Sequence, residues 1–231
     1  MKTSRHLLIA ATIILCGTVS VNTNAQTTSY YSTRHEVGVT VGAGSITEIF
    51  SGIADFTEIA ISSVVSTVIT GGAYTAHYTY GDESYIPTIS AEYYYHVNNV
   101  IGLGGYVALN GMSRDMYFEW TDNNSGSRHK DKVGTAKRRN VSIIPTVKFD
   151  WLRKKYIGLY SKAGVGISIL YETQKDDIDK PGATDYSSTD VIPNIELTFF
   201  GFEAGSQSWR GFAEYGLGEQ GIICAGLRYK F

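Results

Sequence analysis

Apolar and polar residues alternate along most of the chain after residue 34. In the last segment, every second side chain is apolar or aromatic, and the charges lie on the opposite face. One face comprises Ile223, Ala225, Leu227, Tyr229 and Phe231, and the other comprises Cys224, Gly226, Arg228 and Lys230. The same period of two recurs in residues 37–41, 101–110 and 157–169. A period of two predicts β-strands with one apolar face and one polar face.

These alternating runs are too long for ordinary soluble strands. They extend over about nine to thirteen residues, whereas strands of soluble domains average about five or six. A tilted strand needs about nine to eleven residues to cross a bilayer. Charges are costly in an apolar core but cost less in a polar lumen. The pattern therefore predicts an all-β fold, an up-and-down antiparallel transmembrane β-barrel with its apolar face towards lipid.

The runs and the segments between them predict about eight strands. Their expected bounds are 35–44, 84–96, 100–119, 135–151, 156–172, 188–204, 209–217 and 221–231. Short polar connections, such as 98–99 and 153–155, alternate with long charged connections at 121–134 and 173–187. Short periplasmic turns and longer outer loops are typical of outer-membrane barrels. The last outer connection, residues 218–221, is unusually short.

A sequence repeat marks three of the strands. Residues 85–89, 143–147 and 191–195 each contain Ile-Pro, then a short polar residue and a β-branched one. Each is followed by aromatic residues and a short polar connection. The repeat predicts that strands 2, 4 and 6 run in one direction. Proline in a strand interrupts the ladder of hydrogen bonds, so we expect a shared kink or bulge near the outer rim.

Residues 45–72 depart from the period of two. Ile46, Ile49, Ile53 and Phe56 recur at spacings of three and four, which predicts a helix in the first outer loop. An extra hairpin is the alternative, because β-branched residues weaken helices. Three acidic residues interrupt the segment and argue against a membrane-spanning helix.

The first 25 residues have the three parts of a secretory signal peptide. A positive start is followed by the apolar run 7–21 and by a site of short residues ending at Ala25. The apolar run of about fifteen residues is short for a membrane anchor, which needs about twenty. We therefore expect a cleaved signal, 1–25, and one barrel domain, 26–231. Only Cys224 would remain after cleavage, so no disulfide is expected.

The alternation also assigns charges to the barrel interior. The expected lumen charges are Glu36, Glu92, Lys148, Lys162, Glu196, Glu214, Arg228 and Lys230. An eight-stranded barrel is just wide enough for side chains to fill it. Four acids and four bases would pair there and join the strands, as buried charges require. The alternative is a proton path or a catalytic dyad.

The carboxyl terminus carries a family resemblance. Leu227, Tyr229 and Phe231, with a final phenylalanine, resemble the last strand of small eight-stranded bacterial outer-membrane β-barrel proteins. The resemblance implies insertion into the outer membrane, contact with lipid and lipopolysaccharide, and recognition of these three residues by the barrel assembly machinery. Members include adhesins, small-solute barrels and a few lipid-modifying enzymes.

Three functional hypotheses follow. The first is a non-enzymatic barrel with a structural or surface-interaction role. The second is a narrow channel or carrier, which a wide lumen around Gly102, Gly104, Gly164 and Gly166 would favour. The third is a lipid-modifying enzyme at the rim, with His77 as its candidate residue. The sequence predicts no cofactor and no metal site, and the formal net charge of −2 gives no reason to expect nucleic acid. A soluble lipocalin-like barrel would require the reverse placement of apolar and charged faces.

Overall fold

The computed structural model describes residues 33–176 and 185–231. The expected signal peptide lies outside these residues. Within them, eight antiparallel strands follow one another around a closed barrel, with one helix between the first two strands. The strands are β1 His35–Ala43, β2 Tyr74–His96, β3 Ile101–Asp122, β4 Arg128–Arg153, β5 Ile157–Asp176, β6 Tyr186–Gly205, β7 Trp209–Leu217 and β8 Ile223–Lys230. Because β1 also pairs with β8, every strand has two neighbours.

The barrel is apolar outside and polar inside. In β1, Glu36 and Thr40 are buried, whereas Val39 is 58% exposed. Strand β7 repeats the pattern, with Arg210 and Glu214 inside and Trp209 outside. A lipocalin-like barrel has apolar side chains inside and charged side chains outside. The observed interior is charged, so it contradicts that alternative.

The two ends of the barrel differ in height. We name them the short-turn end, with connections 97–100, 154–156 and 206–208, and the hairpin end, which carries the helix. Strands β2 to β6 contain 20 to 26 residues each, whereas β1, β7 and β8 contain eight or nine. The hairpin end is therefore a tall wall on one side and a low rim on the other.

The tall wall corrects the expected strand bounds. Strand β2 begins at Tyr74 rather than 84, and β4 begins at Arg128 rather than 135. Most of the expected loop 121–134 is paired strand, with Trp120 opposite His129 and a turn at 123–127. The physical reason is that backbone pairing does not require an apolar face. Cross-strand contacts between polar or aromatic side chains, such as Trp120 stacked on His129, also stabilise a ladder.

The three prolines have different local structures. Pro87 lies in a bulge of β2, since the register against β3 shifts between Ile86 and Ile89. Pro145 is paired with Gly105 of β3, and Pro193 is in register with Ile167 of β5. The shared direction of β2, β4 and β6 is confirmed. A shared bulge is not found, because the β3–β4 and β5–β6 registers continue without a shift through Pro145 and Pro193.

The helix predicted within residues 45–72 is confirmed as α1, Ile46–Ile69. Ser45 caps it, because its hydroxyl accepts from the Glu48 amide while the Glu48 carboxylate accepts from the Ser45 amide. By length and composition alone, α1 could cross a membrane. In the structure it instead leans on the inner face of the tall wall, where Ser66 exchanges hydrogen bonds with the Ala76 backbone.

Candidate functional site

The barrel interior is the most organised polar site in the described residues. The structure places all eight of the expected lumen charges there. Each is at most 5% exposed: Glu36, Glu92, Lys148, Lys162, Glu196, Glu214, Arg228 and Lys230. They belong to seven different strands, so the site exists only when the barrel is closed.

Arg228 is at the centre of an ionic layer near the short-turn end. Its guanidinium donates at 2.9 Å to both Glu92 and Glu203. Lys230 lies 2.8 Å from Glu36, which also accepts from Lys148 at 2.7 Å. These contacts join β1, β2, β4, β6 and β8 across the lumen. A buried charge is tolerated when it is paired and hydrogen-bonded in this way.

A second group in the same layer surrounds Lys162. The Lys162 ammonium lies 2.7 Å from Glu214 and 3.3 Å from Glu92. Tyr160 donates to Glu214 at 2.6 Å, so this carboxylate is shared between an ammonium and a phenol. Glu196 was expected to pair with a base. Its described hydrogen bonds come instead from the hydroxyls of Tyr106 and Thr198.

Sequence reasoning missed four members of the ionic layer: His96, Asp150, Glu203 and Arg210. Asp150 and Arg210 occupy inward positions of strands whose alternation was recognised, so that signal was available. Glu203 was hidden, because the β6 register shifts between Thr198 and Phe200 and reverses the later alternation. Glu203 pairs with Arg210 at 3.1 Å and is fully buried.

His96 lies between two carboxylates at the short-turn end. Its Nε2 is 2.8 Å from Glu36, and its Nδ1 is 3.2 Å from Asp150. The Lys148 ammonium is within 3.7 Å of the same Asp150. This placement makes His96 part of the ionic layer.

The short connection between β7 and β8 enters the barrel and closes it. Glu219 and Gln220 are buried at its tip. We call residues 218–221 the plug. The Glu219 carboxylate accepts hydrogen bonds from four neutral donors on four different elements: Thr47 at the start of α1, Asn110 on β3, Asn140 on β4 and Asn194 on β6. A ring of amides and a hydroxyl thus holds a buried carboxylate.

Gln220 joins the plug to the ionic layer. Its carbonyl accepts from Lys162 at 2.6 Å, and its amide donates to Ser90 at 2.8 Å. The plug backbone also binds the start of α1, since the Ile46 amide donates to the Gly218 carbonyl at 2.9 Å. The plug and the first turn of α1 therefore form one lid over the lumen.

Two glycines admit the plug. A Cβ at Gly42 would overlap the backbone carbonyl of Gln220, so β1 must present hydrogen there. Gly221 has a φ of +111°, a conformation that favours glycine. Sequence reasoning recognised this connection as short but had no signal that it turned inwards.

Other glycines make room for large interior side chains. A Cβ at Gly201 would overlap the Tyr160 ring, and one at Gly102 would lie 3.1 Å from the His96 ring. At Gly104, Gly164 and Gly166, the neighbouring backbone fills the space. The wide lumen that would favour a channel is therefore not found around these four candidate glycines.

The remaining histidines do not converge on one site. His35 and Tyr93 share a hydrogen bond at 2.8 Å near the short-turn end. His129 stacks on Trp120 in the tall wall. His77 lies on β2 near the hairpin end. The described contacts therefore separate these rings along the full height of the barrel.

The residues of the expected assembly signal face outwards. Leu227 and Phe231 are more than half exposed, and the ring of Tyr229 lies between those of Phe231 and Trp209. Phe231 also stacks on His35 at 5.3 Å across the closure of the barrel. Trp209, Tyr229, Phe231 and His35 thus form a continuous row of rings across β7, β8 and β1 at the short-turn end.

Comparison with protein-family models and with curated proteins found no match to this chain.

Proposed function

We propose that this chain is an integral outer-membrane β-barrel, exported by a cleaved signal peptide, with a non-enzymatic structural or surface-interaction role. One observation carries the proposal: the closed barrel buries its charges and exposes its apolar side chains. Val39 on β1, Val165 on β5, and Ile223 and Leu227 on β8 are each more than half exposed. In water that surface would be unfavourable, whereas in a bilayer it is the ordinary outside of a barrel.

The aromatic surface supports the same orientation. Trp151 on β4, Trp209 on β7 and Phe231 after β8 lie near the short-turn end and are each more than half exposed, and Tyr229 packs between the last two. Aromatic side chains are enriched where a bilayer meets water. We infer that this end lies at the periplasmic interface and that the tall wall projects outside the cell.

Outward-facing cations support contact with lipopolysaccharide. Arg139 and Lys137 are exposed on β4, two and four residues beyond Val141 towards the hairpin end. Cations in this position, immediately beyond an apolar belt, are attracted to the anionic groups of the outer leaflet. Arg138, between them, faces inwards and binds Glu172 instead.

The filled lumen favours a structural role over transport. Tyr94, Tyr160 and Arg228 are fully buried across its width, and the plug covers the hairpin side. A small barrel whose interior is occupied by side chains leaves no continuous water path. The surfaces offered to partners are then the tall wall of β2 to β6 and α1.

The first experiment is to fold residues 26–231 in detergent and run gels with and without boiling. We expect detergent to be required for solubility and mobility to change on heating, because the closed hydrogen-bonded barrel resists unfolding until it is heated. A monomer that is soluble without detergent would contradict the proposal.

Electrical recording separates the structural role from a channel. We expect the folded protein to insert into planar bilayers without steady conductance, because tyrosines, an arginine and the plug fill its lumen. Stepwise conductance from purified wild-type protein would favour the channel instead. A chemical change in outer-membrane lipid that requires His77 would favour the rim enzyme.

A further inference from the structure

Helix α1 turns its polar side to the barrel and its apolar side away. Thr47 and Ser51 contact the lumen residues Glu219 and Arg138, and Thr67 bonds Thr75 of β2. The opposite face is a stripe of large apolar side chains, most of them more than half exposed: Ile49, Phe50, Ile53, Phe56, Ile61, Val64 and Val68. We call this set the α1 stripe. A surface helix normally buries such a face.

The acidic residues of α1 do not interrupt this stripe. Asp55 accepts two hydrogen bonds from Arg114, and Glu58 accepts one from Tyr80 at 3.2 Å, both towards the tall wall. Glu48 is held by the helix cap. The three acids, which argue against a membrane-spanning helix, therefore leave the exposed face free of charge.

The base of the stripe opens into a cleft. A cavity of about 560 Å³ lies where β1 ends, lined by Ala43, Glu48, Ile49, Tyr85 and Pro87. Apart from Glu48 and the Tyr85 hydroxyl, its lining side chains are hydrocarbon. Its size is within the range of about 300–1,000 Å³ found for small-molecule sites.

The cleft continues the outward face of the barrel. Ala43 follows Val37, Val39 and Val41 on the outer face of β1. On β2, Pro87 and Tyr85 lie above Ile89, which is opposite Val41. Strand β1 ends at Ala43, whereas β2 reaches further towards the hairpin end, where its first residue is Tyr74. The groove between the two strands is therefore open at the side, at the rim.

We propose that this cleft binds an acyl chain of an outer-leaflet membrane lipid, with the α1 stripe extending the contact upwards. The inference rests on the proposed membrane location. A membrane lipid is the expected occupant because the cleft is reached directly from the outward apolar face, at the rim where that face ends. A second copy of the chain would instead have to fit past the tall wall of β2.

The partly buried surroundings of Glu48 agree with an apolar occupant. Burial raises the pKa of Glu48, and the charge of Glu219 adds to the rise, although hydrogen bonds from Ser45 and Gly44 oppose it. The rise indicates that the carboxyl lies in partly desolvated surroundings at the edge of the cleft.

The test uses lipids brominated on their acyl chains, which quench nearby tryptophan. The three native tryptophans are replaced by phenylalanine, and Ile53→Trp places one reporter on the stripe above the cleft. We expect bromolipid to quench this reporter in folded protein. Ala43→Phe, which fills the cleft, should reduce the quenching at least twofold, and Val39→Phe on the same strand face should not.

Two further measurements make failure interpretable. A reporter at Val39→Trp tests the belt itself: if bromolipid does not quench it, the proposed membrane location is wrong. If Val39→Trp is quenched but Ile53→Trp is not, or if Ala43→Phe leaves quenching unchanged, the cleft proposal is overturned. The proposal is also overturned if shielding of the Ile53→Trp reporter depends on the protein-to-lipid ratio but not on bromination of the lipid. That result would indicate that a second copy of the chain covers the stripe.

Should Ala43→Phe lose the heat-dependent gel shift, Ile49→Asp provides a second variant. A charge in the cleft should lower reporter quenching by a similar factor without adding bulk to the barrel wall. Unchanged quenching in a folded Ile49→Asp protein would also overturn the proposal.

Discussion

Glu219 is held by hydrogen bonds rather than by an ion pair among its described contacts. Its donors are three asparagine amides and the Thr47 hydroxyl, and Asn110 donates at 2.6 Å. A carboxylate can accept from all four because both oxygens are acceptors. The side chain therefore ties the plug to α1, β3, β4 and β6 at once.

Glu219→Gln tests this arrangement. One carboxylate oxygen becomes an NH₂ group that faces donors, so we expect the free energy of unfolding to fall by about 1–3 kcal/mol, the cost of leaving buried polar groups unsatisfied. Urea unfolding in lipid vesicles measures the loss. Glu119→Gln, in the half-buried outer part of β3, is the matched control. Equal midpoints for both variants would contradict the role of Glu219.

Replacement of Arg228 tests whether the ionic layer stabilises the barrel. Arg228→Met removes the cation shared by Glu92 and Glu203 and leaves their charges in the lumen. Breaking a buried pair from one side costs about 3–5 kcal/mol, and we expect a loss of that order in the same unfolding assay. Arg128→Met, at the exposed start of β4, should change stability by less than about 0.5 kcal/mol. Similar stability for the two variants would show that the layer is not stabilising.

At the scale of elements, α1 depends on its cap and on the tall wall. Its β-branched residues lower its intrinsic helix propensity, so local and tertiary contacts must hold it. The Ser45 hydroxyl binds the Glu48 amide and also accepts from Asn110 of β3, which links the cap to the barrel.

Ser45→Ala should loosen the first turn of α1. We expect a cost of about 1 kcal/mol for the lost cap and faster amide exchange over residues 46–50. The heat-dependent gel shift should persist, because the strand ladder is untouched. Ser62→Ala, whose hydroxyl bonds only the preceding turn of α1 in the described structure, is the control. Unchanged exchange in Ser45→Ala would show that wall contacts alone hold the helix.

The local stability of the β3–β4 turn should depend on pH. Asp122 accepts from the Asn124 amide at 2.9 Å and from the Ser125 hydroxyl at 2.8 Å. These hydrogen bonds lower the pKa of Asp122 below its ordinary value of 3.8. A lowered pKa means that the stabilisation is present above pH 3.8 and is lost as the pH falls through the folded pKa.

We therefore expect amide exchange at residues 124–126 to accelerate, beyond its intrinsic pH dependence, when the pH falls below 3.8. Asp122→Asn should remove this extra dependence. Hydrogen exchange of the folded protein at a series of pH values makes the comparison. The same extra pH dependence in Asp122→Asn would assign it to another group.

At the scale of the whole molecule, the short strands set the height of the proposed membrane belt. Strands β1 and β7 have nine residues and β8 has eight. At about 3.3 Å per residue and a tilt of about 40°, nine residues span about 23 Å. The tall wall of β2 to β6 adds height only at the hairpin end.

Folding should then be more efficient in thin bilayers. We expect a larger folded fraction in vesicles of twelve-carbon than of eighteen-carbon phosphatidylcholine, because a short belt in a thick bilayer carries a mismatch cost. The heat-dependent gel shift gives the folded fraction. Equal or better folding in the thicker bilayer would place part of the tall wall inside the membrane.

The sequence by itself determined the inside and the outside of the barrel. Period-two alternation is a local property of each strand, because successive side chains point to opposite faces. It placed all eight expected charges in the lumen and put Leu227 and Phe231 outside. The spacing of apolar residues within 45–72 likewise predicted a helix.

Only the tertiary structure decided the features that depend on contacts between distant segments. A bulge in β6 reversed the later alternation and hid Glu203. Polar segments expected to be loops became the tall wall, since pairing with a neighbour fixed them. The inward turn of the plug required Gly42, 177 residues before Glu219, and donors from three other strands and α1. No single segment carries the signal for an arrangement that exists only when the barrel closes.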